Sequence, residues 1–570
     1  MSDTTSATTR RAMWDRLGAE GREELDLLIV GGGINGAGIA RDAARRGLRV
    51  AVVEMNDLAF GTSSRSSKLI HGGLRYLEQY EVGLVFESVS ERRILMDLAP
   101  HLVNPLGFLF PVYKGSKHNL FVLKAGMWLY DGLSLFRSPK RHRTLSPSDV
   151  AREMPALKRE GLQGAPLYYD CSTDDARLTL ENALDAARAG ATIATWAKVE
   201  RFLVEKGRVR GAIVRDELDG RTTEIRAAAV INATGPWTDR TLALPRQKDG
   251  DATHQPPRML RTTKGVHIVV DRAKLPLAHA VVCIHPIDKR VLFAIPWGDR
   301  SYVGTTDTDD PGDPAQVHAT AEDVDYLIDA SLSYFPEHPL ARADVISTWA
   351  GLRPLIDEGE GASESQVSRE HKILIGEDGL ITVAGGKLTT YRRMSGEVVD
   401  TAIRFHQMTN GLRGRELAAP RTDTLPLPGA EGWPEDDDAK KVEAQVLDAG
   451  GGTIEADTAT LLVESYGTRA LEVAARCKAR PALAARLVPE RPEILAQVDF
   501  AATDELAATV SDVMVRRTQL FYRDRDQGLG CADTVAAHLA SVLGWDDARR
   551  QHEVERYRAD VALSRRWRLG

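Results

Sequence analysis

No other part of the chain constrains the fold as tightly as the stretch from Leu25 to Glu54. An apolar strand enters a turn at Gly31, Gly32 and Gly33. Ile34, Asn35 and Gly36 then open a small-residue helix that runs to Arg46, and a second apolar strand, Leu48 to Val53, ends at Glu54. This order predicts a βαβ unit that binds a dinucleotide: Gly31 for the tight turn, Gly33 for close approach of backbone to pyrophosphate, Gly36 for helix–strand packing. The helix N-terminus offers unpaired N–H groups to the phosphates. A carboxylate at position 54 accepts hydrogen bonds from ribose hydroxyls and repels a 2′-phosphate, which disfavours NADP and leaves FAD and NAD.

At 570 residues the chain exceeds one hydrophobic core and calls for two or three domains. Its net charge of -7 supplies no global attraction for nucleic acid. Cys171, Cys283, Cys477 and Cys531 lie far apart, without the paired spacing of a metal site or redox dithiol, so no metal is expected and the thiols read as reduced and cytoplasmic. Residues 1–22 are polar and charged and read as a short leader. No uncharged apolar stretch approaches the roughly 20 residues of a membrane span, so any membrane contact is expected to be peripheral.

Two further strand–glycine turns follow: one at Asn232, Ala233, Thr234 and Gly235, the other at Gly385, Gly386, Lys387, Leu388 and Thr389. Between them, extended runs such as His267 to Val270 and Val291 to Ile295, with a hairpin-type turn at Gly298, look antiparallel. The expected fold is α/β: a Rossmann-like dinucleotide domain assembled from distant segments, an antiparallel-sheet substrate domain, and a C-terminal α-helical domain. The oxidoreductase region covers 23–412, with cofactor-binding segments at 23–100, 165–240 and 345–410 and substrate-binding segments at 101–164 and 241–344. A proline-rich, acidic stretch makes 413–434 a linker, and 435–570 reads as helical.

The first glycine unit, the run Ser66 to Leu77, Asn232 to Trp237, Lys264 to His267, Ile295 to Trp297, Gly304 to Asp307, Gly351 to Leu355 and Gly385 to Tyr391 occur in one order along the chain. Together they closely resemble the flavin-dependent glycerol-3-phosphate dehydrogenases over nearly the whole length. The resemblance implies an amine-oxidase-like or glycine-oxidase-like fold, FAD as cofactor, oxidation of sn-glycerol 3-phosphate to dihydroxyacetone phosphate, and a membrane quinone as electron acceptor. It also implies that Ser66, Ser67, Lys68 and Leu69 line the flavin, that His71 supports it through its loop, and that Asn232, Thr234 and Gly235 close over the nucleotide.

The residue chemistry is compatible with such a reaction. A small dianion calls for arginine forks, and Arg75, Arg353 and Arg369 are the candidates, with the Tyr76 hydroxyl beside them. Removing the hydroxyl proton needs a near-neutral base, for which His267 on a predicted strand is the first choice and His71 the alternative. Lys387, at the opening of the third turn, can stabilise negative charge on reduced flavin.

Residues 117–143 mix Phe121, Trp128 and Phe136 with Lys140, Arg141 and Arg143, a composition suited to the headgroup zone of an anionic membrane. The expectation is a homodimer peripheral on the inner face of the cytoplasmic membrane. Competing readings are an oxidase that releases peroxide, an amine oxidase of related fold, and a flavin-holding scaffold without turnover.

Overall fold

The computed structural model describes residues 9–20, 24–73, 81–116, 119–133, 139–247, 258–357, 371–408 and 415–570. Arg75, Tyr76 and Arg369 lie outside the described residues.

Strand β1, Leu25–Val30, is buried along its whole length. It pairs in parallel with β2, Val50–Val53, on one side and with the strand Thr222–Asn232 on the other. A strand between two parallel neighbours has helices or loops on both faces, which is why its sequence is apolar apart from Asp26. Helix α2, Ile34–Arg45, packs over this sheet through Gly36, Ala37, Ala40, Ala43 and Ala44. The glycines are steric requirements: Gly31 has φ +110°, and a Cβ there would lie 2.6 Å from the Ala233 carbonyl oxygen, while a Cβ at Gly36 would collide with the carbonyl of Gly31.

Register decides what the sheet brings together. Val30 faces both Val53 and Asn232, and Ile231 in turn faces Ile381 of the strand Ile381–Gly385. The C-terminal ends of these parallel strands therefore gather Gly31, Glu54, Ala233 and Gly386 at one edge, so the three glycine turns belong to a single domain. The strand Thr222–Asn232 serves two partners, with its first half in an antiparallel meander against Arg208–Asp216 and its second half against β1.

A second, 11-stranded sheet is mostly antiparallel and carries the substrate region. At its centre the strand Leu260–Asp271 lies between Arg300–Gly304 and Val345–Ile356. The last part of the chain, from helix Ala439–Gly450 to helix Asp547–Ser564, is helical as expected. Residues 10–20, which the sequence placed in a leader, form helix α1, Arg10–Glu20, whose Met13, Trp14 and Leu17 are buried and whose Arg10 donates to Asp216 at 2.6 Å. Along 415–434, Arg415 bonds Asp26 and the Gly429 N–H donates to Glu181, so this stretch is tied to the cofactor domain.

Candidate active site

A cavity of about 620 Å³ runs along the edge where the strand ends gather. Gly31, Gly33, Ile34, Asn35 and Glu54 line it from the first glycine unit, Thr234, Gly235 and Trp237 from the second turn, and Gly386, Lys387 and Leu388 from the third, with Pro354 beside them in the lining. All three glycine turns thus open into one space, within the size range of cofactor pockets. Glu54 accepts the N–H of Gly32 at 2.6 Å and that of Asn56 at 2.9 Å. Burial pushes its carboxyl above the usual range, and these two amides work against that shift. The N-terminus of α2 points at the cavity, with Ser63 Oγ accepting from Ile34 N–H at 2.9 Å.

Several residues expected to touch the cofactor instead brace the walls. Gly32 packs on Leu58 and Glu54, and Gly36 holds α2 against β1. Asn232 is fully buried; its Oδ1 accepts from the Thr234 hydroxyl at 2.7 Å and its Nδ2 donates to the Thr238 carbonyl, so it shapes the turn that presents Thr234. Lys68 turns away from the cavity: at φ +53° its ammonium donates to Asp175 Oδ1 at 2.6 Å and lies 5.5 Å from the Trp349 ring. Leu69 is a buried strand residue. His71 and Thr389 join the first loop to the third turn, the His71 N–H donating to Thr389 Oγ1 at 3.1 Å. Phe60, Thr62, Ser63, Lys198 and Glu217 also line the cavity, and local sequence carried no signal for them because they reach it from loops and from a separate meander.

The substrate candidates sit on one face of the antiparallel sheet. Thr263 pairs with Arg353, Gly265 with Gly351 and His267 with Trp349. Alternation along a strand puts positions 263, 265 and 267 on one side, and the absent side chain of Gly265 leaves room there that the Arg353 guanidinium and Thr305 fill: a Cβ at Gly265 would lie 2.5 Å from Arg353 Nη2 and from Thr305 Oγ1. The guanidinium is held in place, with Nη1 donating to Asp307 Oδ1 at 2.9 Å and Nη2 to Thr305 Oγ1 at 3.0 Å. His267 is 3% exposed. Its ring stacks on Trp349 with centroids 4.7 Å apart, and Nε2 lies 2.9 Å from Ser67 Oγ. Burial, then the nearby Arg353 and Lys68 cations, hold this imidazole well below the usual histidine range, so it is neutral at physiological pH. The Trp349 stack and the Ser67 contact come from residues distant in sequence, although Trp349, Gly351 and Arg353 do share the alternation of one strand.

Helix α3, Val82–Leu98, and helix α4, Leu120–Leu133, pack together, with Val89 and Tyr130 against Gly72. Phe121 is 79% exposed and Trp128 62% exposed, and Val82, Phe86, Val122 and Leu129 are also open to solvent. Among the described residues no helix is long and apolar enough to cross a membrane.

Residues 26–392 match the family model of FAD dependent oxidoreductases, and residues 420–550 match that of the C-terminal domain of alpha-glycerophosphate oxidase. The aerobic glycerol-3-phosphate dehydrogenase of Staphylococcus epidermidis is 39% identical over 533 residues, 93% of each chain. Glycerol-3-phosphate dehydrogenase 2 of Mycobacterium tuberculosis is 39% identical over 553 residues, covering 97% of this chain and 90% of that one. The crystal structure of the glycerol-3-phosphate dehydrogenase from Bacillus halodurans complexed with FAD superimposes with a TM-score of 0.78 at 31% identity, covering 98% of both chains. The L-alpha-glycerophosphate oxidase of Mycoplasma pneumoniae, at 18% identity and a TM-score of 0.52, shares the fold over 71% of this chain.

Proposed function

The chain belongs to the glycerol-3-phosphate dehydrogenases among the FAD dependent oxidoreductases, and from that premise we propose that it oxidises sn-glycerol 3-phosphate to dihydroxyacetone phosphate and delivers the electrons to a membrane quinone. The observation that carries the reaction is the pairing of a fixed guanidinium, seated over Gly265, with a neutral imidazole two residues along the same strand face, about 7 Å at the usual strand rise. That span suits a three-carbon phosphate, with its dianion on Arg353 and its secondary hydroxyl toward His267.

The residues present fit FAD. Gly31 and Gly33 leave the approach open, Glu54 offers a carboxylate at the ribose position, and Lys387 lines the same cavity from the third turn. When bound there, FAD supplies a two-electron acceptor for the hydride from C2. Arg353 pairs two phosphate oxygens through its planar fork, already oriented by Asp307 and Thr305. His267 enters as free imidazole and takes the hydroxyl proton, and its enclosure by Trp349 and Tyr302 keeps water away from that transfer.

Anaerobic addition of glycerol 3-phosphate to the purified yellow protein is expected to bleach its visible absorbance at once. Bleaching by an amine, or by no substrate of a polyol-phosphate panel, would overturn this reading in favour of the amine oxidase or the scaffold.

The apolar faces of α3 and α4 beside exposed Lys140, Arg141 and Arg143 support peripheral attachment to the anionic inner face of the cytoplasmic membrane, where quinone resides. Each such cation contributes about 1 kcal/mol at an anionic surface. Neutralising all three is therefore expected to weaken vesicle binding about 100-fold while dye-linked activity stays intact; co-sedimentation checks this, and undiminished binding refutes the docking face. Because residues 420–550 match an oxidase domain, peroxide release is measured beside quinone-analogue reduction, and stoichiometric peroxide would make oxygen the acceptor. The enzyme is proposed to work as a homodimer, which light scattering in detergent tests.

A further inference from the structure

We propose that the C-terminal helical domain holds the FAD site in its binding shape. One turn of that domain, Asp512–Arg517, grips from behind the two loops that wall the cavity beside Glu54, through Asp57 and Trp196 as positioning residues. The inference rests on the cavity as the seat of FAD, and goes beyond it by giving the helical domain a part in cofactor binding.

Two loops meet at this wall. One leaves β2 and brings Glu54, Asn56 and Phe60 to the cavity; the other is the turn at Trp196 that opens the strand Ala197–Glu205, whose Ala197 and Lys198 line it. Main chain laces them together. The Glu54 N–H donates to the Ala194 carbonyl at 2.9 Å, the Ala197 N–H to the Glu54 carbonyl at 2.7 Å and the Trp196 N–H to the Asn56 carbonyl at 2.8 Å. Each loop holds a non-glycine residue in the left-handed region, Ala59 at φ +60° and Trp196 at φ +56°. Such a conformation costs free energy and persists only where its surroundings over-determine it. At Ala59 the loop folds back on the first glycine turn, its N–H donating to the Gly32 carbonyl at 3.0 Å. Loops shaped in this way call for a hold from outside.

The helical domain supplies that hold. The Trp196 indole N–H donates to Asp512 Oδ2 at 3.1 Å. Asp57, fully buried, accepts from Arg516 at 2.6 Å and from Arg517 at 2.8 and 2.9 Å. Arg516 also donates to Asp512 Oδ1 at 2.9 Å, so both grips belong to one buried cluster. In an α-helix positions 512 and 517 would diverge by about 140°. Here the turn is wider, the Thr518 N–H reaching back five residues to the Val513 carbonyl at 2.9 Å, and Arg517 comes to lie beside Arg516 on Asp57. The cluster reaches the cavity itself. The Arg516 guanidinium lies 5.7 Å from the ring of Phe60, and its charge opposes the upward shift that burial imposes on the Glu54 carboxyl. Binding that uses this wall is linked to the cluster, so loosening the cluster must weaken FAD binding.

The experiment titrates the full-length chain, stripped of FAD, with FAD and reads flavin fluorescence for wild type, Asp57→Asn, Trp196→Phe and Leu462→Ala. Leu462 is fully buried in the helical domain's own core, among residues 442–500, so truncating it weakens that domain without touching either loop. Asp57→Asn takes the anion from two arginines and is expected to raise the FAD dissociation constant by about 5- to 150-fold, the span of couplings between sites. Trp196→Phe removes one donor and strands no charge, because Asp512 keeps Arg516 and the Ala508 N–H, and should give a rise at the low end of that span. Leu462→Ala should bind FAD as wild type does. A constant within twofold of wild type in Asp57→Asn or Trp196→Phe, or an equal rise in Leu462→Ala, overturns the inference. Far-UV circular dichroism checks that each chain is folded; should Asp57→Asn fail that check, Trp196→Phe decides alone. A wild-type chain that binds no FAD would bring down the cofactor reading instead, an outcome read without any variant.

Discussion

Arg353→Ala is expected to lower kcat/KM for glycerol 3-phosphate by about 30- to 1,000-fold, equivalent to about 2–4 kcal/mol of transition-state binding. The side chain is one-quarter exposed and is held by Asp307, Thr305 and the Thr306 carbonyl, so its position is set before substrate arrives. Arg353→Lys should recover little of the loss, because an ammonium is a point charge and cannot span two oxygens. Steady-state assays with a dye acceptor check both. Arg353 is not part of the cofactor cavity's lining, so FAD content should be that of wild type. Wild-type kinetics in Arg353→Ala would remove this residue from the substrate site and, with it, the sheet face around Gly265 as the place where substrate binds.

Glu505→Ala is expected to cost about 3–5 kcal/mol of stability, the usual penalty for stranding a buried charge. Glu505 belongs to the helical domain and is fully buried, yet it receives Arg177 through both guanidinium nitrogens, at 2.7 and 2.9 Å, and Arg469 at 3.0 Å. Arg177 lies on the cofactor-domain helix Asp175–Arg188, so the pair bolts one module to the other. Burial alone would raise the Glu505 carboxyl, but Arg177 and Arg469 overrule it and hold it below its ordinary value. A carboxyl lowered in the folded state stabilises above its unfolded pKa, and that contribution disappears as pH falls through the folded one. Wild-type protein should therefore lose more stability on acidification than Glu505→Ala. Denaturant unfolding across acidic pH tests this; equal midpoints at neutral pH would show that the ion pair holds nothing. A second buried set, Arg516 and Arg517 on Asp57, ties the helical domain to the loop after β2.

Residues near one another in sequence were read correctly where their meaning is local. A strand, a turn that only glycine fits and a small-residue helix are encoded within a dozen positions at Leu25–Gly36, and the same pattern marks the turns at Gly235 and Gly386. Such features depend on φ, on side-chain volume and on the periodicity of burial, all of which the chain carries with it. The helical character of the last 130 or so residues follows from the same kind of local propensity.

Side-chain direction was another matter. Lys68 stands in a motif read as flavin-lining, yet its positive φ aims it at Asp175, more than a hundred positions away. Asn232 follows a strand into the nucleotide turn but spends its amide on Thr234 and Thr238. Helix α1 escaped a reading based on polarity because its inward face is short, made by Met13, Trp14 and Leu17 with Arg10, and most of its partners lie on strands far along the chain. Fold class and cofactor type were thus determined by sequence alone. Which of those residues face the cavity, which support it from behind, and which nitrogen of His267 has a partner were decided by sheet register and domain packing. Those place groups hundreds of residues apart within hydrogen-bonding distance, and no local pattern records that distance.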